Sequence, residues 1–380
     1  MRKKYLLAPG PTPIPETVAS VFTQPILHHR TPEFQQIFAE VRTHLKTVFQ
    51  TQNEVLILSA SGTGAMESTL TNLFSRGDQI IVINVGKFGE RWTQIAQRYE
   101  LKVVEVRAAA GQSVDLSELE KVMQTEPRAK AVCFQASETS TGVALPTREI
   151  CQLTHRMGML SICDAITACG VSDLPMDAWN IDVMMTGSQK AFMIPPGLAM
   201  IALNEKAWKL NQTAQLPRFY FDLAKEKKSQ AKNQTAWTPA ISLIVGLQAS
   251  LRLMQEEGLQ NIFKRHDLLA RATRAAVAAL NLELLAKASP STAVSAVCVP
   301  AQIPDGKLIP KMMRDQYGVT IAGGQDELEG KIFRLSHFGY CDRFDITVGI
   351  SALELVLNRL GHSVPYGTGV GAALQVFAQE

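Results

Sequence analysis

The sequence contains no pair of cysteines in CxxC spacing, no massed basic segment and no long apolar stretch, and each shortfall excludes a class of protein. Six cysteines (Cys133, Cys151, Cys163, Cys169, Cys298, Cys341) stand apart from one another, several inside apolar runs, which reads as buried reduced thiols rather than a metal or disulfide framework. His337 and Cys341 lie four apart, but no second ligand pair accompanies them, so no metal site is expected. Lysine and arginine number 38 against 35 acidic residues, a net charge of +3 spread along the chain. That balance argues against a nucleic-acid or membrane-surface binder. The longest apolar runs, such as Gln79–Val85 and Gly197–Leu203, fall far short of the roughly 20 residues a bilayer crossing needs. At the N-terminus, Leu6, Leu7 and Ala8 are too few for a signal-peptide core before the prolines begin, so a cytoplasmic protein is expected.

What is present is an ordinary globular composition. The 380 residues are 46% hydrophobic and 19% charged, enough for two domains with substantial cores. Between residues 53 and 203, short apolar runs alternate with helical patterns: Glu54–Ser59, Gln79–Asn84, Lys102–Val106, Ala131–Gln135, Leu160–Cys163, Val183–Met185 and Leu198–Leu203. Continuous rather than alternating apolar runs indicate strands buried on both faces, hence an α/β fold with a mostly parallel sheet covered by helices. The charged stretch 225–235 reads as a solvated loop, followed by a helix from Ile241 to Glu257 that stops at Gly258. Beyond it come a helix (Ile262–Leu280), short strands (Leu282–Leu285, Ser295–Val299, Ile332–Leu335) and helices Leu308–Tyr317 and Thr347–Leu360. The expected division is an N-terminal arm (1–20), a large domain (21–257) and a smaller C-terminal α+β domain (258–380), whose tail from 363 carries no legible pattern. The proline-rich residues 8–15 are expected to bury little by themselves.

Three places could do chemistry. After the strand near Leu58, Ser61-Gly62-Thr63-Gly64 leads into a helix, and backbone N–H groups at a helix N-terminus suit an anion such as phosphate, although a plain tight turn would look the same. It is neither a Walker A loop nor GxGxxG, since no Lys-Ser/Thr follows and Glu67 stands at the third glycine. Asp164 follows the run Leu160–Cys163, at the strand end where open α/β sheets place ligands; it either caps a turn or grips a cation. Lys190 lies between Met185 and the apolar Ala191-Phe192-Met193-Ile194. A lysine desolvated there loses basicity and becomes a nucleophile toward carbonyls; otherwise it snorkels to solvent. Together an anion site, a carboxylate and a buried amine match the needs of pyridoxal 5′-phosphate, whose phosphate, ring nitrogen and aldehyde require those partners.

Nine segments in order then resemble the class V aminotransferase family of fold-type I pyridoxal-phosphate enzymes: LLAPGPTPIPE, HHRTPEF, SASGTGAMES, GKFGERW, ETSTGV, DAITACG, TGSQKAF followed by PPG, TPAISL and FRLSHFG. Within it the chain is similar to alanine–glyoxylate and serine–pyruvate or serine–glyoxylate aminotransferases. The resemblance implies that Lys190 bonds the cofactor and that Asp164 partners the pyridine nitrogen. It implies that Gly62, Thr63 and Gln189 hold the phosphate, that Phe88 covers the ring, and that Ser140 approaches the ring O3′. Arg334 matches the clamp for the substrate carboxylate, and Gly10 falls at the substrate. Thr238, in TPAISL, corresponds to a stretch reaching the phosphate of a neighbouring subunit, which implies a homodimer. The expected reaction is ping-pong: alanine or serine gives its amino group to the cofactor, and glyoxylate or pyruvate then receives it. Two alternatives stay open. A cysteine desulfurase-like lyase shares the fold, although such enzymes usually carry His where Gln189 stands. Cyanobacterial relatives that resemble the chain have been called a soluble hydrogenase subunit, which would leave a non-catalytic scaffold role.

Overall fold

The strands that the apolar runs announce form one seven-stranded sheet in the computed structural model, which describes residues 3–379. They are β1 (Val55–Leu58), β2 (Gln79–Asn84), β3 (Lys102–Arg107), β4 (Ala129–Gln135), β5 (Leu160–Asp164), β6 (Val183–Gly187) and β7 (Ala199–Leu203). Their order across the sheet is β1-β7-β6-β5-β4-β2-β3, and only β7 runs antiparallel to its neighbours. The continuous apolar pattern has a simple cause. Successive side chains point to opposite faces, so in β2 Ile81 and Ile83 enter one core with Phe34, Phe38 and Phe134, while Ile80 and Val82 enter the other with Met66, Leu70 and Trp92. The edge strand β3 is instead mostly half-exposed and carries Lys102, Glu105 and Arg107, charges that discourage pairing with a second sheet.

Helices cover both faces: α1 (Pro32–Phe49), α2 (Gly62–Leu73), α3 (Lys87–Arg98), α4 (Leu116–Thr125), α5 (Thr147–Arg156), α6 (Leu223–Gln230) and α7 (Ile241–Glu257). α1 begins with the signals the chain advertises, Thr31 accepting from the Phe34 amide and proline at the first helical position. A third core, including Leu268, Val297, Phe333 and Leu353, gathers α8 (Leu259–Ala279), α9 (Leu308–Tyr317), α10 (Arg343–Arg359) and α11 (Thr368–Phe377) around strands β8 (Val294–Cys298), β9 (Ala322–Gly323) and β10 (Ile332–Ser336).

Several expectations are corrected. Residues 225–235 are not simply a solvated loop, because α6 occupies most of the stretch and buries Glu226 and Gln230. Gln230 completes the edge of β1: its Oε1 accepts from the Ile57 amide at 3.1 Å and its Nε2 donates to the Ile57 carbonyl at 2.8 Å. A polar side chain thus faces inward to satisfy a strand, which a hydrophobicity pattern cannot register. Leu282–Leu285 forms no strand, only a single bridge between Leu284 and Val297. α10 starts four residues earlier than expected, at a capping box built on Asp342 and Asp345. The tail holds α11, which packs on α8 and is anchored through amides of Gly367, Gly369 and Val370 on the buried Glu354 carboxylate. Ahead of the proline-rich stretch, Tyr5–Leu6 pairs in parallel with Val319–Thr320 and Leu7 enters the third core; within residues 8–15, Pro9, Thr12 and Pro15 are buried. Five of the six cysteines are buried free thiols and Cys298 is half-buried. Among the described residues, no helix is long and apolar enough to cross a membrane.

Candidate active site

Lys190 sits in the loop after β6, and that loop is held from two directions. Ser188 donates to the Pro195 carbonyl at 2.8 Å and accepts from the Leu198 amide at 3.2 Å, closing the turn on itself. From the N-terminus, the Thr12 amide donates to the Gln189 carbonyl at 3.0 Å and its hydroxyl to the Lys190 carbonyl at 2.8 Å. The Lys190 amine donates to the Pro9 carbonyl. Gly10 lies against the amine at φ +130°, and a Cβ there would come within 2.2 Å of Nζ, so this close approach requires glycine. Burial lowers the lysine pKa to about 8; Asp164 opposes the shift, and the nearby cations Arg334 and Arg91 add to it.

Asp164 is the last residue of β5, opposite Gln135 on one side and Met185 on the other. One carboxylate oxygen accepts from the Ile166 amide at 2.8 Å. Burial pushes its carboxyl up to about 7, with Glu138 adding to the rise and Arg91 and Lys190 opposing it. Gly62 begins α2, and a Cβ on it would lie 2.3 Å from the Ile166 side chain, so the helix N-terminus can approach the Asp164 turn only with glycine there. Beside it, a Cβ on Gly187 would be 3.1 Å from Gln189 Oε1 and 3.6 Å from the Gly62 amide nitrogen. Gln189 Oε1 is buried with no hydrogen-bond partner among the described residues. The N-terminus of α2 at Gly62, with its free amides beside the Gln189 side chain, fits a phosphate group, as the buried amine and the Asp164 carboxylate fit an aldehyde and a basic ring nitrogen. The site therefore fits pyridoxal phosphate on its own geometry.

The remaining residues close around these. Phe88 lies in the first turn of α3 with the Arg91 guanidinium 4.8 Å from its ring centroid, and Arg91 also donates to the Thr63 hydroxyl at 3.1 Å. The Ser140 hydroxyl accepts from the Lys87 amide and donates to Glu138. Arg334, buried in β10, uses Nε on the Gly323 carbonyl at 2.9 Å and Nη1 on the Thr139 carbonyl at 3.1 Å. Nη2 makes no hydrogen bond among the described residues, leaving donors for a carboxylate. Thr238 is placed differently. It lines a narrow cleft with Ser59, Tyr220, Phe221 and Trp237, and no hydrogen bond joins it to the Lys190 group. Phe221 connects the two regions, lying 3.3 Å from where a Cβ on Gly64 would be.

Three contributors escape sequence reasoning. Arg91 and Glu138 lie inside the motifs GKFGERW and ETSTGV, so a charge beside Phe88 and Ser140 was a signal that could have been followed. The Pro9 carbonyl had none, since a backbone oxygen leaves no trace in residue identity.

Comparison with known proteins finds relatives over almost the whole chain. Residues 4–336 match the family model described as aminotransferase class-V. The chain is 43% identical, over 99% of both lengths, to a protein of Synechococcus sp. (strain PCC 6716) named soluble hydrogenase, small subunit. It is 34% identical to the L-aspartate–glyoxylate aminotransferase of Paracoccus denitrificans, over 98% of this chain and 96% of that one. The crystal structure of ureidoglycine–glyoxylate aminotransferase from Bacillus subtilis superposes with a TM-score of 0.94 at 28% identity, covering 100% of this chain and 99% of the other.

Proposed function

Since the chain belongs to the class V aminotransferases, enzymes that work with pyridoxal phosphate, we propose that it transfers the amino group of alanine or serine to glyoxylate in a ping-pong cycle. The observation that carries the reading is the meeting of a buried amine of lowered basicity, a buried carboxylate and a helix N-terminus at one sheet edge. Glyoxylate as acceptor is supported by the names of two relatives with different donors, L-aspartate and ureidoglycine.

Bound, the cofactor supplies an electron sink for the bond broken at the substrate Cα. Asp164 would hold the proton on the ring nitrogen, Phe88 would cover the ring, and Gly62, Thr63 and Gln189 would take the phosphate. The Lys190 amine would serve as the base that takes the proton from the substrate Cα and returns it to the cofactor carbon. Burial serves that role, because a base near pH 8 is neutral in a useful fraction at neutral pH and still a competent proton carrier. Arg334 orients the substrate carboxylate so that the Cα–H bond stands across the ring system.

Initial rates with alanine, serine and aspartate against glyoxylate test this directly. Parallel double-reciprocal lines and a higher kcat/KM for alanine or serine are expected; intersecting lines, or a preference for aspartate, contradict it. Arg334→Lys keeps the charge but loses the planar fork, and kcat/KM should fall by roughly 10²-fold, about 3 kcal/mol. An equal loss with a carboxylate-free amine such as ethylamine would remove Arg334 from the substrate.

The same reading includes a homodimer. Phe219 is 76% exposed, beside Tyr220 and Trp237, which stack at 6.0 Å next to Thr238. An aromatic patch of this kind suits burial against a second copy, with Thr238 reaching the partner's phosphate site. Sedimentation should give a dimer at assay concentration, and an active monomer would refute it. The desulfurase alternative finds no support, because Cys341 is buried and its thiol is pushed up by burial, the reverse of an activated nucleophile.

A further inference from the structure

α3 begins without a cap of its own. Its N-cap is Gly86, which has no side chain to offer, and a Cβ there would lie 2.5 Å from Ser140 Oγ and 2.6 Å from the Glu138 carboxyl carbon. The cap comes instead from fifty residues away. Glu138 is completely buried, and its Oε2 accepts from the amides of Phe88 and Gly89, each at 3.1 Å, and from Gln135 Nε2 at 3.0 Å. Its Oε1 accepts from the Ser140 amide at 3.1 Å and the Ser140 hydroxyl at 2.5 Å. The Ser140 oxygen then accepts the Lys87 amide at 3.0 Å. The first three amides of α3 therefore end on Glu138 or on the hydroxyl that Glu138 holds.

We propose that Glu138 is a positioning residue which fixes Phe88 and Ser140 to one buried carboxylate, so that both meet the cofactor ring in a single arrangement. The proposal rests on the cofactor reading above. Its chemistry is specific to a carboxylate. Five donors converge, and only an acceptor without protons of its own satisfies all five; a negative charge at a helix N-terminus is favoured as well. The next residue extends the reach, since the Thr139 carbonyl holds Arg334. One turn, 138–140, thereby aligns the ring cover, the O3′ neighbour and the substrate arginine. A cap that served stability alone would not need to join loops from two strands at the ring.

The test is a double-mutant cycle read by cofactor affinity rather than turnover. Apoprotein of wild type, Glu138→Gln, Phe88→Leu and the double variant is titrated with pyridoxal phosphate, following visible absorbance and the visible circular dichroism of the bound cofactor. Whichever way a glutamine amide turns, its NH2 meets an N–H donor, those of Phe88 and Gly89 in one orientation and that of Ser140 in the other. Glu138→Gln should therefore raise Kd by roughly tenfold or more and change the visible circular dichroism, and on the Phe88→Leu background the penalty should shrink severalfold, because the ring it positions is gone. Equal penalties on both backgrounds, or an unchanged Kd and circular dichroism, overturn the proposal. Should Glu138→Gln fail to fold, Glu138→Asp takes its place: it keeps the charge but withdraws it by one methylene, and the same background-dependent penalty is expected. Wild-type affinity in Glu138→Asp would overturn the proposal equally. Failure of wild type to bind the cofactor would instead refute the underlying reading, so the two are distinguishable.

Discussion

Lys190→Ala should abolish transamination, with a loss in kcat of at least about 10⁴-fold, since in the proposed mechanism one change removes both the group that bonds the cofactor and the base that carries the proton. Nothing nearby can substitute. The other cations at the site, Arg91 and Arg334, are guanidiniums, unsuited to bonding an aldehyde or shuttling a proton, and they donate to Thr63 and to the Gly323 and Thr139 carbonyls. Borohydride reduction of the wild-type holoenzyme followed by peptide mapping should label Lys190, and a label on any other lysine would sink the assignment. A pH signature accompanies it. Burial depresses the amine to about 8, and only the neutral amine attacks an aldehyde. The rate of cofactor attachment to apoprotein should therefore rise close to tenfold per pH unit below 8 and level off above it. A rate that kept climbing toward pH 10 would mean a lysine with ordinary solvation.

Asp164→Asn has the second-largest expected effect and acts in opposite directions on activity and stability. The asparagine oxygen can still accept from the Ile166 amide, so the turn survives. In the proposed mechanism the charge that holds the ring-nitrogen proton is lost, and kcat should fall by about 10²–10³-fold with a much smaller change in cofactor Kd. Stability follows from linkage. Burial raises the folded carboxyl to about 7, well above the ordinary aspartate range. Its contribution to apoprotein stability is therefore fully present below about pH 4 and lost as pH rises through 7. At pH 8 the wild-type apoprotein bears the full burial penalty, of order 2–4 kcal/mol, which Asp164→Asn relieves. The variant apoprotein should melt higher than wild type at pH 8, with the gap closing toward pH 4. A variant less stable than wild type at pH 8 would show that Asp164 is a structural cap.

These two residues were legible in the sequence because strand ends are. Asp164 closes a run of buried residues, and Lys190 is a charge set among apolar neighbours, so their places at the sheet edge follow from the pattern that makes the strands. The sheet itself was legible for the same reason, down to helices ending at Gly258 and spanning Leu308–Tyr317. What stayed hidden depends on partners far away in the chain. Thr12 and Pro9 hold Lys190 across 178 and 181 residues. Gln230 serves a strand 173 residues earlier, which turns a polar stretch into part of the fold. Glu138 has its meaning only through amides at the start of α3. In each case a backbone group selects the side chain, and backbone groups carry no sequence signature.

The division of the chain near residue 258 stays a proposal, supported by a third core, assembled almost wholly from later residues, to which Leu7 also belongs.

The central claim, that this chain moves amino groups through a cofactor held at Lys190, is tested most directly by the absorbance of the purified holoenzyme through two half-reactions. Adding alanine or serine without acceptor should bleach the yellow band as the amino group passes to the cofactor and a 2-oxo acid is released in a one-to-one ratio. Adding glyoxylate after the donor is removed should restore the band and yield glycine. A band that neither donor alters, or one that bleaches without release of a 2-oxo acid, would contradict the account.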